Sequence, residues 1–410
     1  IYEYSDEDYL GEGYGKLTKE TRPDGTYKTF SDYYAGTRQA RFIREYTQAG
    51  VLVSEYEYDI NGNLIGVSDT IATYTYYPSG RMHTKTLLVD LGNALAGTIY
   101  EYSDEDYLGE GYGKFIKETA PDGSYKTFTD YYAGTRQWRY VSVYTSGGVL
   151  IETLEYNVSG NLIGKVEADG TIYTYYVPTA RMHTKTMPDG TIYEYDDTPA
   201  HDNGTPLDFT DDYGHLIKET RPDGTYKTFS DYYDADQPRF IHEYAADGTL
   251  LETLEYDNSG NLIGKVEADG TAYTYYVPSG RMHIKTMPDG TIYEYDDTAA
   301  HDNGTPGDPT DDYGHLIKET RPDGSYKTFS DYYNADQPRF ISEYAADGTL
   351  LETLEYDISG NLVGKVEADG TAYTYYVPSG LMHTKTMPDG TIYEYTDEDY
   401  LGEGYGLLIK

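Results

Sequence analysis

The ten residues TMPDGTIYEY occur at 186–195, 286–295 and 386–395 without a change. A chain that repeats a turn together with its flanking segments folds by stacking like units, not around one irregular core. The phrase Ile-Tyr-Glu-Tyr starts at Ile1, Ile99, Ile192, Ile292 and Ile392. It divides the sequence into super-repeats at 1–98, 99–191, 192–291 and 292–391, with the start of a fifth at 392–410. A shorter beat runs inside each. In the third super-repeat, Asp-Gly pairs fall at Asp223-Gly224, Asp247-Gly248, Asp269-Gly270 and Asp289-Gly290. Each super-repeat therefore holds about four hairpin-sized modules. One of them is lengthened by an insertion such as DDTAAHDNGTPGDPTDDYGH at 296–315.

The modules read as strands and turns. TAYTYYV (271–277) and TIYEY (291–295) are rich in Thr, Tyr and β-branched residues, which suit a pleated, half-buried surface. The Gly of each Asp-Gly pair is expected to be left-handed and structural: Gly25, Gly123, Gly170, Gly190, Gly224, Gly248, Gly270, Gly290, Gly324, Gly348, Gly370 and Gly390. A two-residue Asp269-Gly270 turn would set Val266 opposite Tyr273 and Gly264 opposite Tyr275, leaving Glu267 exposed. Where Pro precedes the pair, as in Pro288-Asp289-Gly290, a three-residue loop competes, because Pro cannot donate the bond that closes a two-residue turn. On the other edge, YDNSGNL (256–262) puts Asp257 and Gly260 first and fourth in a type I turn. No window has a helical period. The expected fold is all-β: tandem antiparallel hairpins in an elongated, twisted or spiralling sheet.

Composition narrows the function. The chain has 52 Tyr, 44 Gly, one Trp and no Cys, so rings must supply much of the buried surface while each hydroxyl stays wet. The missing thiols exclude disulfides and thiolate metal sites. A net charge of −40 repels phosphate backbones and anionic membranes, which argues against nucleic-acid and membrane partners. No stretch reaches the roughly 18 apolar residues of a spanning helix. The acidity serves solubility and invites cations, Ca²⁺ among them.

EYDNSGNLIGKVEADGTAYTYY (255–276) resembles the YD repeat of Rhs and teneurin-type proteins: Tyr-Asp, two residues, Gly, an apolar strand, Asp-Gly, and an alternating Tyr strand. The same pattern covers Tyr156–Tyr176 and Tyr356–Tyr376, and a weaker form covers Tyr58–Tyr77. That resemblance implies a long β-sheet spiralling into a shell. YYVPSGRMHIKTMPDGTIYEY (275–295) is similar to choline-binding cell-wall repeats, although those use Trp cages and this chain has only Trp138.

Candidate sites are few. His201 and His301 lie in acidic loops, where Asp202, Asp208, Asp211, Asp302, Asp308 and Asp311 form a candidate Ca²⁺ set. Their spacing fits no established calcium loop, and a solvated loop explains them as well. The pairs Asp196-Asp197 and Asp296-Asp297 could in principle do acid–base work, yet they recur in each loop-bearing unit, as structure does. Asn157, Asn203 and Asn303 match the N-glycosylation pattern. Nucleophile, phosphate-loop and zinc motifs are absent. The expectation is a non-catalytic structural fibre, extracellular or on a prokaryotic cell surface, whose main partner is itself. The alternatives are an Rhs-type toxin shell and a glycan-binding module. IYEYSDEDYLGEGYG (1–15) returns at 392–406 with a single change, Ser5 to Thr396, and suggests one stretch of a longer array.

Like charge along every repeat must repel within a Debye length of about 10 Å at 0.1 M salt. The melting temperature is expected to rise when NaCl or Ca²⁺ is added. A melting temperature flat from low to high salt, with and without chelator, contradicts this reading.

Overall fold

The computed structural model describes residues 1–109, 111–201, 211–301, 311–399, 402 and 404–410. Thirty-three strands and no α-helix occur among the described residues. They form two compact units: Ile1–Gly190 with Asp197–Gly214, and Thr191–Asp196 with His215–Lys410. In each unit the strands are antiparallel and pair with their neighbours in sequence, as in Leu250–Tyr256 with Leu262–Glu267, then Ala272–Tyr275, Met282–Thr286 and Ile292–Tyr295. No described pairing returns the first strand of a unit to its last, so the 33-stranded sheet is open.

One turn geometry recurs on both edges. At Asp269-Gly270 the Gly270 N–H donates to the Glu267 carbonyl and the Glu267 N–H to the Thr271 carbonyl, both at 2.9 Å. Three residues, Ala268, Asp269 and Gly270, therefore form the loop. Met287–Thr291 and Asp257–Asn261 close in the same way. All twelve Asp-Gly glycines have positive φ, between 82° and 94°, a conformation that costs any β-branched residue. In the Asp-x-x-Gly turns the first side chain also works: Asp257 Oδ1 accepts from the N–H of Ser259 (2.8 Å) and of Asn261 (2.9 Å).

This geometry corrects the two-residue turn expected at 269–270. The third loop residue shifts the register by one, and a shift of one brings opposite faces together. Gly264 pairs with Thr274, Lys265 with Tyr273 and Val266 with Ala272. Tyr273 thus faces Lys265 on one side and Lys285 on the other, with the ammonium groups 5.6 and 5.7 Å from its ring centre. Gly264 lies across Thr274 and Glu255, not beneath a tyrosine. Glu267, expected exposed, is half-buried; it accepts from the Tyr273 hydroxyl at 3.2 Å and pairs with Lys265 at 3.1 Å.

Few side chains are fully buried; Leu87, at 1% exposure, is the largest of them. The sheet is covered instead by tyrosines. A cross-strand pair stacks nearly parallel in four copies: Tyr27–Tyr46, Tyr125–Tyr144, Tyr226–Tyr244 and Tyr326–Tyr344, with ring centres 4.6–4.8 Å apart. A lysine lies over each: Lys19, Lys117, Lys218 and Lys318, at 4.6–5.1 Å. Each ring pair contributes about 0.5–1.5 kcal/mol beyond its burial. Other tyrosines fasten turns to their neighbours. Tyr276 and Tyr376 donate their hydroxyls to the carbonyls of Tyr295 and Tyr395 at 2.8 and 2.9 Å. Tyr34 and Tyr132 reach Tyr58 and Tyr156, both at 2.9 Å. Tyr131, Tyr232 and Tyr332 donate to the carbonyls of Phe115, Leu216 and Leu316.

Two outcomes follow from this packing. Gly270→Val, at φ +90° with nothing within 4 Å of the added carbon, is expected to lose at least about 1 kcal/mol from backbone conformation alone. Asn258→Ala, on an exposed turn, is expected to stay within about 0.5 kcal/mol; equal denaturation midpoints for the two variants contradict the turn assignment. Burial pushes the hydroxyls of Tyr131, Tyr232, Tyr275, Tyr295 and Tyr332 up to about 12. A phenol whose folded value exceeds its unfolded value near 10 stabilises the fold fully below about pH 10 and loses that contribution as pH rises through 12. Stability is expected to fall across pH 10–12, with a late phase in the ultraviolet phenolate titration. A single tyrosine step near pH 10 with the fold intact contradicts it.

Candidate functional site

The inserted loops that carried the sequence candidates begin and end on described residues. Asp202, Asp208, Asp302, Asp308, Asn203 and Asn303 lie outside the described residues. Asp211 and Asp311 are exposed beside them. Among the described residues, no three His, Asp or Glu side chains come close enough together to hold a metal ion.

The acidic pairs separate into two local roles. Asp296 accepts from the His315 N–H at 2.8 Å and lies 3.2 Å from His315 Nδ1, while the Thr298 hydroxyl also donates to it. Asp297 accepts from the hydroxyl of Ser279 at 2.6 Å and from Arg281 at 3.2 Å. In the other unit, Asp197 binds Thr179 and Arg181 in the same manner. The other copies explain Asp296: Ser5, Ser103 and Thr396 hold its place and accept the N–H of Lys16, Lys114 and Leu407, each at 2.9 Å. A hydroxyl does the same work as the carboxylate, so the work is closing the loop. Gly314 completes the closure, since an added Cβ there would lie 2.0 Å from the Asp296 carbonyl oxygen. Gly15, Gly113 and Gly406 make the same close approach in their copies. The repeated Tyr-Gly dipeptides at 14–15, 112–113, 313–314 and 405–406 were the sequence signal for this latch.

The Asp296–His315 contact lacks the arrangement of a catalytic relay. A nucleophile must address one imidazole nitrogen while a carboxylate orients the other. Here Thr298 Oγ1, at 3.0 Å, and Asp296 both meet Nδ1, and the ring packs tilted against Tyr332 with centres 4.3 Å apart. Histidines tilted against tyrosines recur in this chain: His83, His183, His283 and His383 pack 4.2–4.4 Å from Tyr77, Tyr176, Tyr276 and Tyr376. Asn157 stands where Asp257 stands in the next copy, and its Oδ1 accepts from the N–H of Ser159 (2.9 Å) and Asn161 (3.0 Å).

Two cavities flank the latch in the second unit. One, of about 330 Å³, is lined by Lys265, Glu267, Tyr273, Lys285, Asp311 and Tyr313 among others. The other, of about 210 Å³, has aromatic walls: Tyr295, His301, Tyr313, Phe329 and Tyr332, with Asp336 and Pro338. His301 stacks on Tyr313 at 4.3 Å, and its Nε2 lies 3.4 Å from Asp336. Sequence reasoning singled out His301 for its acidic loop and missed Asp336, which comes from a different hairpin. The ring walls and carboxylates can hold a ligand by stacking and charge.

No protein-family model matches the chain, and no curated protein matches it. Among solved structures, it is similar to a crystal structure of TcdB2-TccC3-Cdc42, with 12% identity over 91% of this chain and 20% of that one, at a TM-score of 0.20. TcdB2-TccC3 without its hypervariable C-terminal region gives 12% identity over 96% and 24% at a TM-score of 0.19. The TCP10 domain of CPAP from Danio rerio gives 15% over 66% and 94% at 0.16. The chain spans about a fifth to a quarter of the length of the TcdB2-TccC3 chains. TM-scores this low fall short of a shared fold.

Proposed function

We propose that this chain is a non-catalytic structural array, a stretch of an extracellular or cell-surface fibre whose principal partner is another copy of the same hairpin unit. The observation that carries the reading is the fourfold recurrence of one Lys–Tyr–Tyr stack at 4.6–4.8 Å. An active site is made once and its surroundings diverge; a packing surface repeats, because each unit meets its neighbour through the same contacts. Asp296, Asp297 and His315 are engaged in closing a loop, binding Ser279 and Arg281, and covering a tyrosine ring. The high negative charge suits a polymer that must stay soluble until it assembles. Negative-stain imaging of the native material tests the reading. Filaments of uniform width are expected; discrete globules or closed hollow particles would overturn it.

A further inference from the structure

The place of the aromatic cavity in the second unit is taken by an arginine in the repeats of the first unit. In the short-loop copy at 103–113, the guanidinium of Arg136 lies 4.3 Å over the ring of Tyr112 and 5.8 Å from that of Tyr107, and it donates to the Tyr107 carbonyl at 3.2 Å. Trp138 packs behind it on Phe128, with centres 4.9 Å apart, and on Phe115 at 6.4 Å. The first copy keeps the cation without the rings behind it: Arg38 lies 4.5 Å over Tyr14, with Glu12 Oε2 at 2.6 Å from its Nη2, while Leu17 and Ala40 stand at the places of Phe115 and Trp138. Two independent copies thus place a planar cation on the tyrosine that pairs edge-on with Tyr102 or Tyr4.

In the long-loop copy the floor is retained, and among the described residues no arginine lies over it. Tyr313 pairs edge-on with Tyr295 at 5.2 Å, as Tyr112 does with Tyr102. YYNADQPRF (332–340) is one residue shorter than YYAGTRQWRY (131–140); aligned on Gln137 and Gln337, it puts Asp336 where Arg136 stands and Pro338 where Trp138 stands, with Leu316 in place of Phe115. An arginine has become a carboxylate and two large rings have become smaller side chains. The result is the cavity of about 210 Å³. Its walls are π faces, and its rim carries a negative charge. The imidazole of His301 occupies one face of Tyr313 but does not fill the space left by the arginine and the tryptophan. Burial, then the Asp296 and Asp336 carboxylates, hold the proton on Tyr332.

We propose that this cavity binds a small organic cation, a guanidinium or alkylammonium group, with its face on Tyr313 and Tyr332 and its charge against Asp336. A cation over a tyrosine face is attracted by the ring quadrupole, and more strongly where water is excluded. The carboxylate supplies the counter-charge that Glu12 gives Arg38 in the first copy. The cation comes either as a free molecule or as an arginine of another chain; the chemistry of recognition is the same. The inference stands apart from the fibre reading, since a cation site can be present whether or not the chain assembles.

Titration of the full chain with methylguanidinium chloride, followed by two-dimensional NMR or calorimetry, tests the proposal. Neutral N-methylurea serves as the shape control, and a glycine-flanked single-arginine peptide as the second source. Saturable methylguanidinium binding is expected, with N-methylurea silent. Asp236 holds the same sequence position in the preceding copy, so both are changed together. Asp236→Asn/Asp336→Asn is expected to weaken binding at least about fivefold. Asp236→Arg/Asp336→Arg, which restores the arginine, is expected to abolish binding without lowering the melting temperature. The site is assigned to a free cation if methylguanidinium saturates at lower concentration than the peptide, and to an arginine of another chain if the order is reversed. Absence of saturable binding, equal binding of N-methylurea, or unchanged binding in both double variants would overturn the proposal.

Discussion

A tyrosine laid on the sheet with its hydroxyl donated to a neighbouring carbonyl is the interaction on which the rest of this structure depends. Each hairpin is too small to bury an aliphatic core, and a two-stranded ribbon is marginal alone. Its bulges and turns also leave carbonyls away from the regular ladder. Tyr276 answers both needs: its ring covers apolar surface and packs on His283, and its hydroxyl satisfies the Tyr295 carbonyl nineteen residues on. A leucine would do the first and not the second. This explains why the chain spends 52 positions on Tyr while so few aliphatic side chains are fully buried. The bonds join adjacent hairpins, so stability accumulates through nearest neighbours, as expected for a repeat array.

Most of the secondary structure was legible because the turn signals are local. Asp-Gly fixes a left-handed residue wherever it falls, and every predicted turn glycine has positive φ. Register was not legible. Ala268-Asp269-Gly270 and Asp269-Gly270 are both sound loops for the same dipeptide, and the choice depends on the geometry of the whole sheet. The Ala268 N–H donates to the carbonyl of Leu251, at 2.8 Å, a bond that lies beyond the hairpin and so beyond the local pattern. The consequence is large: the alternating Lys265–Tyr273–Lys285 row exists only in the observed register.

The candidate site was legible in part. The acidic loops stood out by composition, which drew attention to carboxylates that turn out to latch the loop ends. The more informative signal was a difference between copies, Arg136 against Asp336 and Trp138 against Pro338. Its meaning depended on seeing that the arginine lies on a tyrosine from a segment more than twenty residues away. In a repetitive chain, identical positions report the scaffold. The positions that change while the floor beneath them is kept are where function can diverge.

Hydroxyl-to-carbonyl bonds, and not ring burial alone, hold neighbouring hairpins together. Tyrosine-to-phenylalanine substitution isolates that bond, since the ring is kept. Tyr276→Phe, Tyr376→Phe and Tyr332→Phe should each lower the stability of the fold by about 1 kcal/mol, because the carbonyl partner is left in a part-buried site. Tyr2→Phe, at a ring 62% exposed, should change it by less than about 0.5 kcal/mol. Denaturation midpoints of these four variants, measured side by side, decide the matter: a clear gap between the three and the one is the predicted result, and four indistinguishable midpoints would contradict the account.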